Sequence, residues 1–257
     1  MGIMEIFFAF IFGLLIGSFI NCLAWRLYQE ETILGRSYCP KCRKALRWFD
    51  NIPLLSFILL KGRCRFCRDK ISWQYPLVEL ITGVLFAVAF ASFALVSWWL
   101  LLKILVVIAV LVLVFIFDFR WYLIPTNVLL GSGIFLAIIG FFSYQSELGS
   151  YLLALLISVV ISTLFFAVQY WVTKGKGIGE GDIWLGMFLG VVFIDLGGLA
   201  VAILSSYFIG SMLGLLLMAF NKKQLGSRLP LGVFLALGAV ISIFFSHDLV
   251  VWYQGLF

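Results

Sequence analysis

The chain has 257 residues, of which 64% are hydrophobic and 12% charged, and its formal net charge at pH 7 is +6. Water-soluble globular proteins are about half apolar, so the composition excludes that class and indicates a polytopic membrane protein. The positive charge is divided among several membrane-flanking loops, which argues against a nucleic-acid-binding surface.

Long apolar runs dominate the sequence. A helix of about 20 apolar residues crosses about 30 Å of hydrocarbon, and eight runs fit this description, so we predict an all-α fold with about eight transmembrane helices. The runs cover approximately residues 3–25, 77–96, 98–118, 126–144, 149–173, 182–195, 196–220 and 229–254. The sixth run is short, and only Asp195-Leu-Gly-Gly separates it from the seventh, so seven helices are the alternative.

Lys and Arg are concentrated in alternate loops between these runs. The loop 26–76 contains eleven of the 18 basic residues, and Lys103 alone falls on the opposite side. Three further loops on the basic side contribute Arg120, Lys174, Lys176, Lys222, Lys223 and Arg228. Because Lys and Arg favour cytoplasmic loops, we predict that both termini are outside and that these four loops are cytoplasmic.

The loop 26–76 separates a retained first transmembrane helix, residues 1–25, from a membrane domain, residues 77–257. It contains CPKC at 39–42 and CRFC at 64–67, separated by 21 residues. This spacing is typical of a closed, structural Zn²⁺ site, and a metal would stabilise a piece too small to bury much core. The predicted ligands are Cys39, Cys42, Cys64 and Cys67. Two disulfides are the alternative, which a reducing cytoplasm disfavours.

Four carboxylates are predicted at the cytoplasmic ends of helices: Glu79, Asp118, Glu180 and Asp182. Ionisable groups are costly to bury in a membrane and tend to mark functional sites or paired polar contacts. Glu79, in PLVELITG, is a candidate for substrate or cofactor contact. A polar helix-end role beside an Arg or Lys is the alternative for this residue.

Asp118 and Asp182 are predicted on separate helices at one depth, which suggests a catalytic dyad. Close like charges and desolvation keep one acid of such a pair protonated and the other ionised. The ionised member can then take a proton from an attacking water, while the other protonates the leaving amine. The alternative is that both are helix-end residues, with Asp182 capping a helix N-terminus.

The residues around the two aspartates suit an extended peptide substrate. In the stretch KGIGEGD, Gly177, Gly179 and Gly181 would let a substrate backbone approach and would expose N–H groups for strand-like pairing. Pro125 follows Asp118 by a short turn and can fix the start of the next helix.

These motifs together resemble the type IV prepilin peptidases, which are GxGD-type intramembrane aspartyl proteases. The resemblance covers nearly the whole chain: GSFINCLAWRL at 17–27, the two CxxC pairs around NIPLLSFILLKGRCRFC, PLVELITG at 76–83, Asp118 with Ile124-Pro125, GEGD at 179–182 and LPLGVFLALGA at 229–239. It implies that Asp118 and Asp182 are the catalytic pair. It also implies a multi-pass protein of the bacterial cytoplasmic membrane whose substrate is a prepilin or pseudopilin with a short basic leader.

Bifunctional members of that family also methylate the new amino terminus with S-adenosylmethionine, an activity linked to the Cys-bearing domain. This chain departs from the family at Trp184, where Lys is common, at Tyr28, where Pro is common, and at Asn127, where an acid is frequent. The methyltransferase assignment is therefore weaker than the protease assignment. The sequence shows no glycine-rich nucleotide motif, so we assign no residues to S-adenosylmethionine.

Two other classes of function fit parts of the sequence. A transporter would also place acids in helices, but nearer the membrane midplane. A non-enzymatic assembly scaffold would keep the zinc loop and the helices without needing two aligned aspartates. The sequence leaves the oligomeric state open.

Overall fold

The computed structural model describes residues 2–144, 147–220 and 229–256. Within these ranges the chain forms nine α-helices, one short 3₁₀ turn at Trp48–Asn51 and no β-strand longer than a single bridge. The basic residues Lys222, Lys223 and Arg228 of the fourth predicted loop lie outside the described residues. The predicted all-α class is therefore confirmed for the part of the chain that the structure describes.

Seven of the described helices are long and apolar enough to cross a membrane. The helices are α1 Ile3–Tyr28, α2 Leu55–Leu59, α3 Gln74–Phe93, α4 Trp98–Trp121, α5 Thr126–Ser143, α6 Leu148–Thr173, α7 Glu180–Val192, α8 Leu196–Ala219 and α9 Leu231–Gln254. All but α2 and α7 are candidate spans, and this matches the alternative count of seven.

The sixth predicted run forms α7, a helix of 13 residues. At about 1.5 Å per residue it is about 20 Å long, which is shorter than the hydrocarbon core. Helix α8 then begins separately, because the side chain of Asp195 accepts the N–H groups of Gly197 and Gly198 at 3.0 and 2.6 Å. The predicted boundary at Asp195 is therefore a helix N-cap.

The chain divides into two compact units, Met1–Leu113 and Val114–Phe257. In the first unit, α1 packs closely on α3 through glycines. A Cβ on Gly13 would lie 2.8 Å from Gly83 Cα, and a Cβ on Gly17 would lie 2.8 Å from Glu79 Cα. Small residues at such positions let membrane helices approach each other closely.

The second unit contains the end of α4 and helices α5 to α9. Its main packing partners are α8 with α9, α6 with α7, and α5 with α7. Gly190 brings α7 against Ser162 and Val159 of α6, and Gly238 brings α9 against Ser206 of α8. The sequence-based division into segments 1–25, 26–76 and 77–257 differs from these two compact units. It describes function rather than packing and stays a prediction.

Candidate active site

Asp118 lies near the end of α4 and is only 6% exposed. Its Oδ2 accepts a hydrogen bond from the backbone N–H of Val233 at 3.0 Å. Val233 is in the first turn of α9, where N–H groups have no partner within the helix. The start of α9 therefore anchors the Asp118 carboxylate.

Asp182 is the third residue of α7 and is 7% exposed. Its Oδ2 accepts the N–H of Gly179, the residue that precedes α7, at 2.8 Å. This is the capping role that the sequence offered as the alternative to catalysis. The two roles are compatible, because the same carboxylate also borders a cavity.

Asp118 and Asp182 both line one cavity of about 950 Å³. The cavity lies within the second unit and is bordered by the α4–α5 connection, the glycine-rich stretch 175–181, α8 and the start of α9. Its other polar lining residues include Tyr122, Thr126, Lys176, Glu180, Ser206, Tyr207 and Ser211. The structure therefore brings the two predicted acids to one open cavity that is large enough for several residues of a peptide.

The predicted supporting residues shape the edges of this cavity. Pro125 directly precedes α5, as the sequence suggested. A Cβ on Gly181 would lie 2.9 Å from Ile124 Cβ, so this glycine lets α7 approach the α4–α5 connection. The N–H of Gly179 is bonded to Asp182, which corrects the expectation that it is open for strand-like pairing with a substrate.

The four cysteines predicted to bind a metal form one cluster in the first unit. The Sγ atoms of Cys39, Cys42, Cys64 and Cys67 all lie within 4.8 Å of one another, and all four are free thiols. The cluster could therefore hold a metal ion through thiolate ligands.

The two CxxC segments form knuckles of the same design, 25 positions apart. In each, the N–H of the first Cys donates to the carbonyl five residues later, and the carbonyl of that Cys accepts the N–H four residues later. The pairs are Cys39 with Lys44 and Arg43, and Cys64 with Asp69 and Arg68. Arg43 and Arg68 also share a positive φ, at 58° and 62°. A structural repeat is therefore present that the sequence did not reveal.

Comparison with known proteins shows the family. The profile of the Bacterial Peptidase A24 N-terminal domain matches residues 11–93. The prepilin leader peptidase/N-methyltransferase of Bacillus subtilis is 33% identical over 245 residues, which cover 95% of this chain and 96% of that protein. The chain belongs to the prepilin leader peptidase/N-methyltransferase family. The resemblance seen in the sequence is thereby confirmed.

Other relatives of this family are similarly close. The prepilin leader peptidase/N-methyltransferase of Aeromonas hydrophila is 30% identical, with 95% of this chain and 92% of that protein aligned. The type 4 prepilin-like proteins leader peptide-processing enzyme of Escherichia coli O78:H11 is 32% identical, with 90% and 91% aligned. No solved structure matches the chain. The chain is thus similar to these enzymes along nearly its whole length.

In this prepilin peptidase family member, Glu79 lies in the first unit and is not among the residues that line the cavity. It is 7% exposed, and its Oε2 accepts the N–H of Leu54 at 2.8 Å. Within the described residues Glu79 has no ion pair with an Arg or Lys, which was the alternative that the sequence offered. Glu79 therefore ties the Cys-bearing loop to helix α3.

Two buried charged residues of the same loop were not singled out from the sequence. Arg26 is 5% exposed and donates to the backbone carbonyls of Ile33, Gly35 and Arg36. Asp50 accepts two hydrogen bonds from Arg65, at 2.9 and 2.8 Å. The sequence analysis treated Arg26 and Arg65 only as positive charges of the loop. Their hydrogen-bond partners could not be predicted, because these groups become neighbours only when the loop folds.

Proposed function

We propose that this protein is a membrane aspartyl endopeptidase that removes the short basic leader from type IV prepilins or pseudopilins. The observation that carries the proposal is that Asp118 and Asp182, both more than nine-tenths buried, line one cavity. The names of the full-length relatives support the substrate class. Neither acid is placed near the middle of a long helix, which is where a transporter site is expected.

The two carboxylates would share one proton in the cavity. The ionised member takes a proton from water as the water oxygen bonds to the scissile carbonyl carbon. The protonated member supports the oxyanion and then donates its proton to the amide nitrogen as the C–N bond breaks. The products are a leader with a free carboxylate and a pilin with a free amino terminus. The Val233 and Gly179 N–H groups keep the carboxylates in place.

The charges at the cavity suit a basic leader. Glu180 lines the cavity beside the dyad and its side chain is exposed, whereas Lys176 is the one basic residue among the described lining residues. A positive leader can therefore be attracted to the acids although the chain as a whole carries +6. The apolar helix that follows the leader in a prepilin would remain in lipid or in a groove.

We propose Zn²⁺ as the metal of the Cys cluster. Four sulfurs at about 2.3 Å from a tetrahedral Zn²⁺ lie about 3.8 Å apart, and Sγ of Cys39 and Sγ of Cys67 are 3.9 Å apart. A four-cysteine site has no open position, so the ion would stabilise the loop and take no part in hydrolysis.

A second activity is proposed from the relatives' names, which include N-methyltransferase. The methyl group of S-adenosylmethionine would pass from sulfur to the new amino nitrogen, and a proton would be released. No residue is assigned to this step. We also propose the bacterial cytoplasmic membrane as the location, with the cavity and the Cys cluster on the cytoplasmic side, because the Lys- and Arg-rich loops favour that side.

Purified protein in detergent, incubated with prepilins of different leaders, tests the proposed function. We expect one cut between the basic leader and the apolar helix, identified by mass spectrometry of both products. A methyl group on the new amino terminus after addition of S-adenosylmethionine would support the second activity. Intact prepilins, with the protein folded as judged by its helical circular dichroism, would favour a non-enzymatic scaffold.

A further inference from the structure

Helix α2 is a short helix in the Cys-bearing loop with an exposed apolar face. Leu55, Ile58 and Leu59 are 49%, 68% and 70% exposed. Positions three and four apart lie on the same side of an α-helix, so these side chains form one surface. A contiguous exposed apolar surface of this kind marks a contact site for a partner or a membrane.

The contacts of α2 place it at the level where α3 enters the membrane. Phe57 of α2 packs against Trp73, with the ring centroids 5.0 Å apart. Trp73 is the residue directly before α3, and its ring is largely exposed. Tryptophan is enriched at membrane–water interfaces, so this contact locates α2 at the interface.

A second contact places the start of α2 deeper still. Leu54, directly before α2, donates its N–H to Glu79 Oε2 at 2.8 Å. Glu79 is five residues beyond the first residue of α3, or about 7–8 Å along the helix at about 1.5 Å per residue. Because α3 is a candidate membrane span of 20 residues, α2 begins beside the first third of that candidate span.

The charge of the loop also favours a lipid partner. Residues 26–76 contain eleven basic and four acidic residues, and Lys61 and Arg63 lie within four residues of the end of α2. Basic segments next to membrane spans are attracted to anionic headgroups, while an apolar helix face inserts at the border of headgroups and acyl chains.

We propose that α2 is an interfacial membrane helix whose Leu55, Ile58 and Leu59 side chains insert into lipid. Glu79 and Trp73 fix its depth by their contacts with Leu54 and Phe57. The bilayer would thus hold the loop that carries the Cys cluster at a defined height above the membrane. This inference does not depend on the proposed peptidase activity.

Photocrosslinking of the full-length chain tests this inference. Single substitutions Ile58→p-benzoyl-phenylalanine and Leu59→p-benzoyl-phenylalanine place the probe on the proposed lipid face. Two controls carry the same probe: Phe57→p-benzoyl-phenylalanine, on the side of α2 that faces Trp73, and Lys41→p-benzoyl-phenylalanine, at a side chain that is 68% exposed. Each protein is reconstituted in vesicles of phosphatidylethanolamine and phosphatidylglycerol, irradiated and analysed by mass spectrometry.

We expect lipid adducts at positions 58 and 59 in several-fold higher yield than at 57 and 41. Crosslinks from 58 and 59 to protein, within the chain or to a second copy, would overturn the inference. Equal lipid yields at all four positions would overturn it as well. If one face variant does not fold, the other decides the result, because the two probes report on the same surface.

Discussion

The carboxylate of Asp118 lies against the backbone at Gly232. A Cβ on Gly232 would be 2.9 Å from Asp118 Oδ2 and 3.3 Å from Asp118 Cβ. Glycine here lets the N–H of Val233 reach the carboxylate at 3.0 Å. The atom nearest to an added Cβ is Asp118 Oδ2, at the end of a side chain. An added methyl group would therefore displace the Asp118 carboxylate and leave the backbone in place.

We predict that Gly232→Ala lowers the rate of leader cleavage on the order of a hundredfold, because a displaced catalytic group loses its alignment. The measurement is the initial rate with purified variant and a prepilin. Gly131→Ala is the control, since a Cβ at Gly131 has no neighbour within 4 Å. A wild-type rate for Gly232→Ala would argue against a catalytic position for Asp118.

The candidate catalytic residues could be predicted from the sequence because carboxylates are rare at the helix ends of this chain. Only four carboxylates were predicted at the cytoplasmic ends of helices, so Asp118 and Asp182 were few enough to single out. Their hydrogen-bond partners could not be found in this way. The bond between Val233 and Asp118 joins residues 115 positions apart, and it exists only because α9 begins beside the end of α4.

The helix ends in this protein differ from those that the apolar runs predict. The apolar run 77–96 became α3 over Gln74–Phe93, because Pro76 is tolerated in a first turn and the polar residues before it are helical. Helix α2 was missed altogether, since five residues within a polar loop give no periodic signal. The boundary at Asp195 was seen, because Asp195-Leu-Gly-Gly interrupts two apolar runs.

We predict that Asp195→Ala lowers the free energy of unfolding by about 1 kcal/mol, because α8 loses the side chain that accepts the N–H groups of Gly197 and Gly198. The rate of cleavage should not change, since Asp195 is not a lining residue of the cavity. Chemical unfolding in detergent measures the first effect and a prepilin assay the second. A large loss of cleavage in a folded variant would show that this cap acts on the site.

At the scale of the whole molecule, the Cys cluster and the aspartates belong to different units. The cysteines lie in Met1–Leu113 and the dyad in Val114–Phe257, and the family profile over residues 11–93 covers only the first. The sequence predicted both sites but not this division. The shared hydrogen-bond pattern of the two knuckles was also hidden, because the sequence shows only the repeated cysteine spacing and the arginine that follows it.

We predict that removing metal from the Cys cluster unfolds its loop and leaves the second unit folded, because the ligands and not a large core stabilise this small piece. Hydrogen exchange of the detergent-solubilised protein, with and without a strong chelator, provides the measurement. Exchange should rise in residues 37–71 and stay constant in α8 and α9. An unchanged loop after the metal has been shown to be lost would contradict a structural role for it.

The most direct test of the account compares three single variants in the cleavage assay. Asp118→Asn and Asp182→Asn keep the size of each side chain and remove its titration. Asp195→Asn applies the same change to a capping aspartate that does not line the cavity. Each variant is first shown to have the helical content of the wild type.

We expect Asp118→Asn and Asp182→Asn each to lose cleavage by on the order of 10³-fold or more, because each removes a group that must give or take a proton. Asp195→Asn should cut at the wild-type rate. If either cavity variant cuts as fast as the wild type, that aspartate is not part of the catalytic pair, and the proposed mechanism is wrong.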